Sequence, residues 1–342
     1  MLNMSILVTV CYPLHLALAL FRNSSLAGDI KNLAVCVTCI ACSLKFVIYT
    51  RKLRIVRAIE QTFAALDARV QSELERKYYF TTMRRSVRNI LYLFLCLYAA
   101  VGVTAELAFL LREERSLLYP ARFPFDWRAS KRNFFAANIY QIVGIFYQLL
   151  QNFVDDSFPP ITSCLLAGHI KLLGMRIARI GYDAADVEEH EKELVQCIKD
   201  QKNLYRLFDL LQEVISLPML IQFTVTAFNI CVAMIVLLFY IDTPLERLYY
   251  LTYFLAMPLQ IFPICYYGSS LQQLFGQLQY EVFRCNWPDQ TRRFKREMIL
   301  FTERALKETT AMAGGMIRIH LDTFFSTLKG AYSLFAVIMK AK

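Results

Sequence analysis

Residues 217–241 read LPMLIQFTVTAFNICVAMIVLLFYI, a run without one Asp, Glu, Lys or Arg. An α-helix needs about 20 apolar residues to cross a hydrocarbon core of roughly 30 Å, and this run is long enough. Further apolar stretches fall near 5–21, 33–49, 90–111, 134–154, 248–267 and 313–339, so the chain predicts seven spans in a single domain over 1–342, an all-α polytopic membrane protein. Composition points the same way. The 342 residues are 56% apolar and 19% charged, against roughly 45–50% and about 25% in soluble proteins. That balance argues against a soluble enzyme and against disorder. The first stretch begins almost at Met1, but no basic segment precedes it and no small-residue cleavage site clearly follows. It reads as a retained helix rather than a secretory signal.

Orientation follows from the loops, because cytoplasmic loops hold the excess of Lys and Arg. Segments 51–88, 169–206 and 277–312 carry 24 Lys and Arg, while 22–31, 112–132, 242–247 and 340–342 carry 11. The first set is therefore expected in the cytoplasm, with the N-terminus inside and the C-terminus outside, the reverse of a G-protein-coupled receptor. The net charge of +10 is then mostly topology, and no nucleic acid partner is expected.

The cytoplasmic segments show helical periodicity. Val56, Ile59, Phe63, Leu66, Val70 and Leu74 recur at steps of three and four, as do Leu194, Ile198, Tyr205 and Phe208, and then Phe294, Met298, Phe301 and Ala305 after the turn Asn286-Trp287-Pro288-Asp289. Helical extensions into the cytosol are expected. Their stripes must bury against one another, against a neighbouring subunit or along the bilayer surface, and Phe294, Met298 and Phe301 are the expected subunit contacts. Cys36, Cys39 and Cys42 recur every three residues without His or carboxylate beside them, which reads as helix packing rather than a metal site. No cysteine falls in an expected extracellular loop, so no disulfide framework is expected. No His pair, Ser elbow or phosphate-cradling Gly loop is present, so no enzyme, metal or cofactor is expected. Receptors, channels and transporters remain.

Three stretches carry a resemblance to the insect odorant receptors that covers the chain. GMIR at 315–318 with LDTFFSTLKGAYSLF at 321–335 is similar to that family's C-terminal signature. FPICYYG at 262–268, with Tyr280 to Pro288, resembles its next most recognisable region, and LYPARFPFDW at 118–127 resembles the proline-rich extracellular loop of many fly members. Related gustatory receptors end in a Thr-Tyr motif followed by a Gln-Phe pair, whereas Ala331-Tyr332-Ser333-Leu334-Phe335 stands here and favours the odorant branch. Family members usually carry a few dozen residues before the first span, so a short isoform, a truncated gene model or a fragment is expected. The second cytoplasmic loop lacks the long insertion of the shared co-receptor, so the chain resembles a ligand-tuning subunit.

The resemblance implies an odorant-gated, poorly selective cation channel, a tetramer with the odorant co-receptor in the plasma membrane of a sensory dendrite, sensing a small volatile molecule. The alternatives are a gustatory-type receptor channel or a secondary transporter; no internal repeat supports the latter, although Pro258 and Pro263 interrupt one helix. It implies that the last helix lines the pore, with Asp322 and Lys329 along it and Val337 and Ala341 at the gate. Arg318 and Asp322, four apart, are expected to pair along one helix face, at the pore entrance or at the membrane interface. The ligand is expected in the outer halves of spans two to six, which contain Phe135, Tyr140, Phe146, Tyr147, Phe228, Tyr249, Tyr250, Tyr253, Phe254 and Met257. The alternative for each is ordinary packing or an interfacial aromatic belt.

Overall fold

The helices that carry the apolar runs are far longer than a bilayer requires. In the computed structural model, α6 (Lys131–Arg179), α7 (Val187–Phe239) and α8 (Pro244–Glu281) hold 49, 53 and 38 residues. At about 1.5 Å per residue each extends tens of Å beyond a hydrocarbon core of roughly 30 Å. The structure describes residues 7–20, 26–110, 126–182, 186–241 and 243–341, with 117, 119, 121 and 123, excepting the side chains of 7, 8, 26, 27, 110 and 341. Before α6 come a π-helical turn (Leu7–Cys11) leading into α1 (Tyr12–Ala19), then α2 (Leu26–Arg51), α3 (Leu53–Asp67), α4 (Glu73–Lys77), and α5 (Arg84–Leu110) after a second π turn at Tyr78–Met83. After α8 follow a 3₁₀ turn (Val282–Arg284), α9 (Arg292–Ala305), strands β1 (Met312–Ala313) and β2 (Ile317–Arg318), and α10 (Leu321–Ala341). Among the described residues α2, α5, α6, α7 and α8 are long and apolar enough to cross a membrane; α1 and α10 complete the seven helices of an all-α fold.

Local chemistry fixes where these helices begin. Thr243 accepts a hydrogen bond from the Glu246 amide at 3.3 Å with Pro244 in the first turn, a start that leaves few orphan donors. Glu246 then receives Lys31 at 2.8 Å, tying the start of α8 to α2. Ser130 and Thr291 cap α6 and α9 in the same way, accepting from the amides of Asn133 and Phe294 at 3.1 and 3.0 Å. Gly181, at φ +84°, ends the α6 segment, and Asn286 of the Asn-Trp-Pro-Asp turn donates its amide to Ile180 there.

The main core lies mostly outside the apolar runs. Leu173, Ile177, Leu194, Phe208, Phe275 and Leu278 of the helical extensions pack with Ile59 and Leu66 of α3. A buried ionic knot joins the same elements. Arg176 donates to Asp200 at 2.8 Å, to Glu75 at 3.0 Å and to the Arg69 carbonyl at 3.0 Å, while Arg69 reaches Asp200 and Glu193. Phe294, Met298 and Phe301 are buried in this core, so the expected subunit contacts are corrected: α9 spends its apolar stripe on its own chain. Its outward face instead exposes Ile299 and Leu300.

The expected span at 313–339 is also corrected. Gly314 and Gly315, at φ +60° and +70°, turn the chain between β1 and β2, and the helix begins only at Leu321. Gln212 of α7 brackets this hairpin, donating to the Met312 carbonyl at 2.6 Å and accepting from its amide at 2.8 Å. Arg318 therefore precedes the helix, and among the described residues His320 pairs with Asp322, at 3.1 Å, in place of the expected Arg318.

Candidate functional site

Helices α2, α5, α6, α7 and α8 enclose a cavity of about 70 Å³. Thr38, Ala41 and Lys45 come from α2; Leu97, Tyr98 and Val101 from α5; Leu149, Asn152 and Asp156 from α6. Gln222, Val225, Thr226 and Asn229 of α7 and Tyr253, Met257 and Gln260 of α8 close it. Ten of the sixteen lining residues carry polar side chains, but most of those groups are bonded to one another, so the surface of the cavity itself is mainly apolar.

One end is ionic. Lys45 bonds Asp156 directly and donates to Gln222 Oε1 at 2.8 Å, while Tyr98 donates to the second Asp156 oxygen at 2.5 Å. The Lys45 and Asp156 side chains are 3% and 5% exposed, so the pair is withdrawn from solvent, and ionisable groups at such depth survive only when paired in this way. Gln222 also reaches Gln260 at 3.4 Å, which links α7 to α8. The other end is neutral. Asn229 donates to Thr38 Oγ1 at 2.8 Å; Thr38 donates to the Ala34 carbonyl at 2.8 Å and meets the Tyr253 hydroxyl at 3.1 Å.

Of the aromatic and Met residues expected at a ligand site, only Tyr253 and Met257 line this cavity. Phe135 and Phe146 are more than half exposed on the outside of α6. Tyr140 packs with Tyr12 and His15 of α1, and Phe228, Tyr249 and Tyr250 form a separate cluster with Val232 and Val236. Phe254 backs the cavity without lining it, and Tyr147 is half-buried elsewhere on α6. Of the expected set, the cavity thus brings together Tyr253 and Met257 of α8 and leaves the others apart. Lys45, Asn152, Asp156, Gln222, Asn229 and Gln260 are absent from the expected set; their signal is a polar side chain within or at the edge of an apolar run, where each unpaired group is destabilising.

Behind the cavity stands α10. Ala331, fully buried, and Leu328 pack against Tyr253 and Met257 together with Ile230 and Ala233 of α7. Lower down, α8 and the approach to α10 nearly touch: a Cβ on Gly268 would lie 2.0 Å from the Ile319 carbonyl oxygen, and Leu321 donates its amide to Ser269 Oγ at 3.0 Å. The opposite face of α10 is open. Asp322, Ser326, Lys329, Ser333 and Val337 recur along it at helical spacing, all exposed, Val337 at 64%. The side chain of Ala341 lies outside the described residues.

Comparison with known proteins bears on this arrangement at two levels. The fold matches the structure of the insect olfactory receptor OR5 from Machilis hrabei with a TM-score of 0.86 at 13% identity, covering 99% of this chain and 88% of that one. The eugenol complex of OR5 matches at 0.82 and 15% identity over the same shares. In sequence, Odorant receptor 59a of Drosophila melanogaster is 48% identical, covering 99% of this chain and 89% of its own length. Odorant receptor 23a of the same fly is 37% identical over 90% of this chain and 81% of its own. The family model described as 7tm Odorant receptor matches residues 25–332, which takes in every helix that lines the cavity and most of α10. A seven-helix fold alone suits many tasks, but relatives this similar over nearly the whole length decide among them: the chain is a multi-pass membrane protein of the odorant receptor family.

Proposed function

We propose that the chain is a ligand-tuning subunit of an odorant-gated, poorly selective cation channel, and that a small volatile molecule acts in the cavity between α2, α5, α6, α7 and α8. The observation that carries this reading is the shared wall: Tyr253 and Met257 line the cavity on one side and back Ala331 of α10 on the other. A ligand that moves these side chains moves the contact that holds the last helix. The exposed polar stripe on α10 suits a helix that faces water in a central pore, with Asp322 and Lys329 along it and Val337 narrowing it by dewetting. The pore then requires further subunits. Assembly is with an odorant co-receptor as a tetramer in the plasma membrane of a sensory dendrite, and Ile299 and Leu300 on the outward face of α9 are available for contacts. The excess of Lys and Arg in 51–88, 169–206 and 277–312, 24 against 11, supports an N-terminus inside and a C-terminus outside.

Recording odour-evoked current from cells that express the chain with and without a co-receptor subunit tests the proposal. Current is expected only with both, and Tyr253→Ala should shift ligand sensitivity while single-channel conductance stays the same. Equal currents without the co-receptor would overturn the assembly. A C-terminal tag on intact cells that becomes accessible only after permeabilisation would overturn the orientation.

A further inference from the structure

We infer that the cavity recognises a hydroxyl group, that of a small alcohol or phenol, through Asn229 Oδ1 as acceptor and Thr226 Oγ1 as donor; the inference rests on the cavity being the ligand site. Asn229 and Thr226 lie three residues apart on one face of α7 and both belong to the cavity wall, with Oδ1 and Oγ1 sealed just behind its surface, so a ligand hydroxyl reaches them as the wall parts. Neither Asn229 Oδ1 nor Thr226 Oγ1 has a hydrogen-bond partner among the described residues, and neither bonds the other. The orientation of the Asn229 amide is set by its neighbour. Thr38 directs its proton to the Ala34 carbonyl, so it can only accept from Asn229, whose Nδ2 it receives at 2.8 Å. The atom left over is the carbonyl oxygen, an acceptor.

An unsatisfied acceptor and an unsatisfied donor on adjacent turns of one helix face match a group that both donates and accepts. A hydroxyl does both through one atom. Buried polar atoms left unpaired are destabilising, so a ligand that satisfies both gains what an ether satisfies by half and an alkane not at all. Charged ligands fit less well. Lys45 and Asp156 already neutralise each other and are held by Gln222 and Tyr98, so neither is free to meet an acid or an amine. The volume bears on the size of the rest of the molecule: about 70 Å³ is under half of the roughly 150 Å³ cavity in which benzene is accommodated, so the walls must part less for a short alkyl arm than for a ring.

The test uses the chain with its co-receptor in cells and three probes of similar size: n-butanol, its isomer methyl n-propyl ether, and n-pentane. Each hydrogen bond is expected to appear as a step of up to about tenfold in sensitivity, tenfold being about 1.4 kcal/mol. The wild-type order is n-butanol, then the ether, then pentane. Asn229→Leu should lower sensitivity to n-butanol and leave the ether where it was. Thr226→Val, which keeps the side-chain shape, should lower both and leave pentane; it carries the test alone if Asn229→Leu does not reach the surface. Equal sensitivity to n-butanol and its ether isomer in the wild type, equal shifts for all three probes in either variant, or no response to n-butanol would each overturn the inference while leaving the cavity as the site. An alcohol preference that survives both α7 variants and Tyr253→Ala would place the ligand elsewhere and remove the cavity reading together with the inference.

Discussion

Breaking the Lys45–Asp156 pair should be far more damaging than removing it. The two side chains are 3% and 5% exposed, and each keeps one neutral partner, Gln222 for Lys45 and Tyr98 for Asp156. Removing one member of such a pair leaves a charge in a low-dielectric site and costs about 3–5 kcal/mol, whereas replacing both by apolar residues is often neutral or stabilising. Lys45→Met leaves Asp156 with a single hydroxyl donor, and Asp156→Leu leaves Lys45 with a single amide carbonyl as its hydrogen-bond acceptor. Each should therefore lower the folded-to-unfolded ratio by on the order of a hundredfold or more, tenfold corresponding to about 1.4 kcal/mol. The double variant should recover most of the loss, giving an interaction energy of about 2 kcal/mol or more in a double-mutant cycle. Thermal melting of the detergent-extracted protein, followed by size-exclusion chromatography, measures this alongside surface yield. Additive losses in the double variant, or single variants that melt like the wild type, would refute the reasoning, since both outcomes mean that the charges are solvated.

Three further outcomes are expected. Gly268→Ala puts a methyl group 2.0 Å from the Ile319 carbonyl oxygen, so α8 and the segment entering α10 must separate by on the order of 1 Å; ligand-evoked current should fall at unchanged surface yield, and a wild-type current would show that the seam is compliant. Val337→Ser should let water persist in the constriction and raise basal current, and unchanged basal current and ion selectivity in a surface-expressed complex would remove Val337 from the gate. Burial pushes the Cys197 thiol up, and the Glu193 carboxylate beside it adds to the effect, so a maleimide should label Cys197 only after denaturation; mass spectrometry that finds native labelling would mean that the knot around Arg176 opens.

Apolar runs made the membrane helices legible, because length and hydropathy alone decide whether a helix can span. The start of α10 was not legible from hydropathy, since Ala313 to His320 continue the run on average while Gly314 and Gly315 turn the backbone left-handed. Periodicity in 294–305 revealed a buried face but not what buries it; that face joins one core with residues such as Leu204, Phe208 and Phe275 of the same chain, distant in sequence. The cavity escaped for a related reason. Aromatic residues are so frequent in membrane helices that they mark no particular site, whereas Lys45 and Asp156, 111 residues apart, look like isolated polar intrusions until the fold brings them together.

The position of α8 has a consequence for how such a receptor diverges. This one helix supplies Tyr253, Met257 and Gln260 to the cavity, and Gly268 and Ser269 to the junction with α10. On the proposed function, substitutions on α8 that alter which molecule is bound should act on the resting open probability as well, so that selection on one trait drags the other. Thr226 on α7 and Leu97 on α5 have no part in the Gly268 seam, so on the proposed function new ligand preferences are expected to arise by exchange at such positions, leaving the opening equilibrium close to its ancestral value.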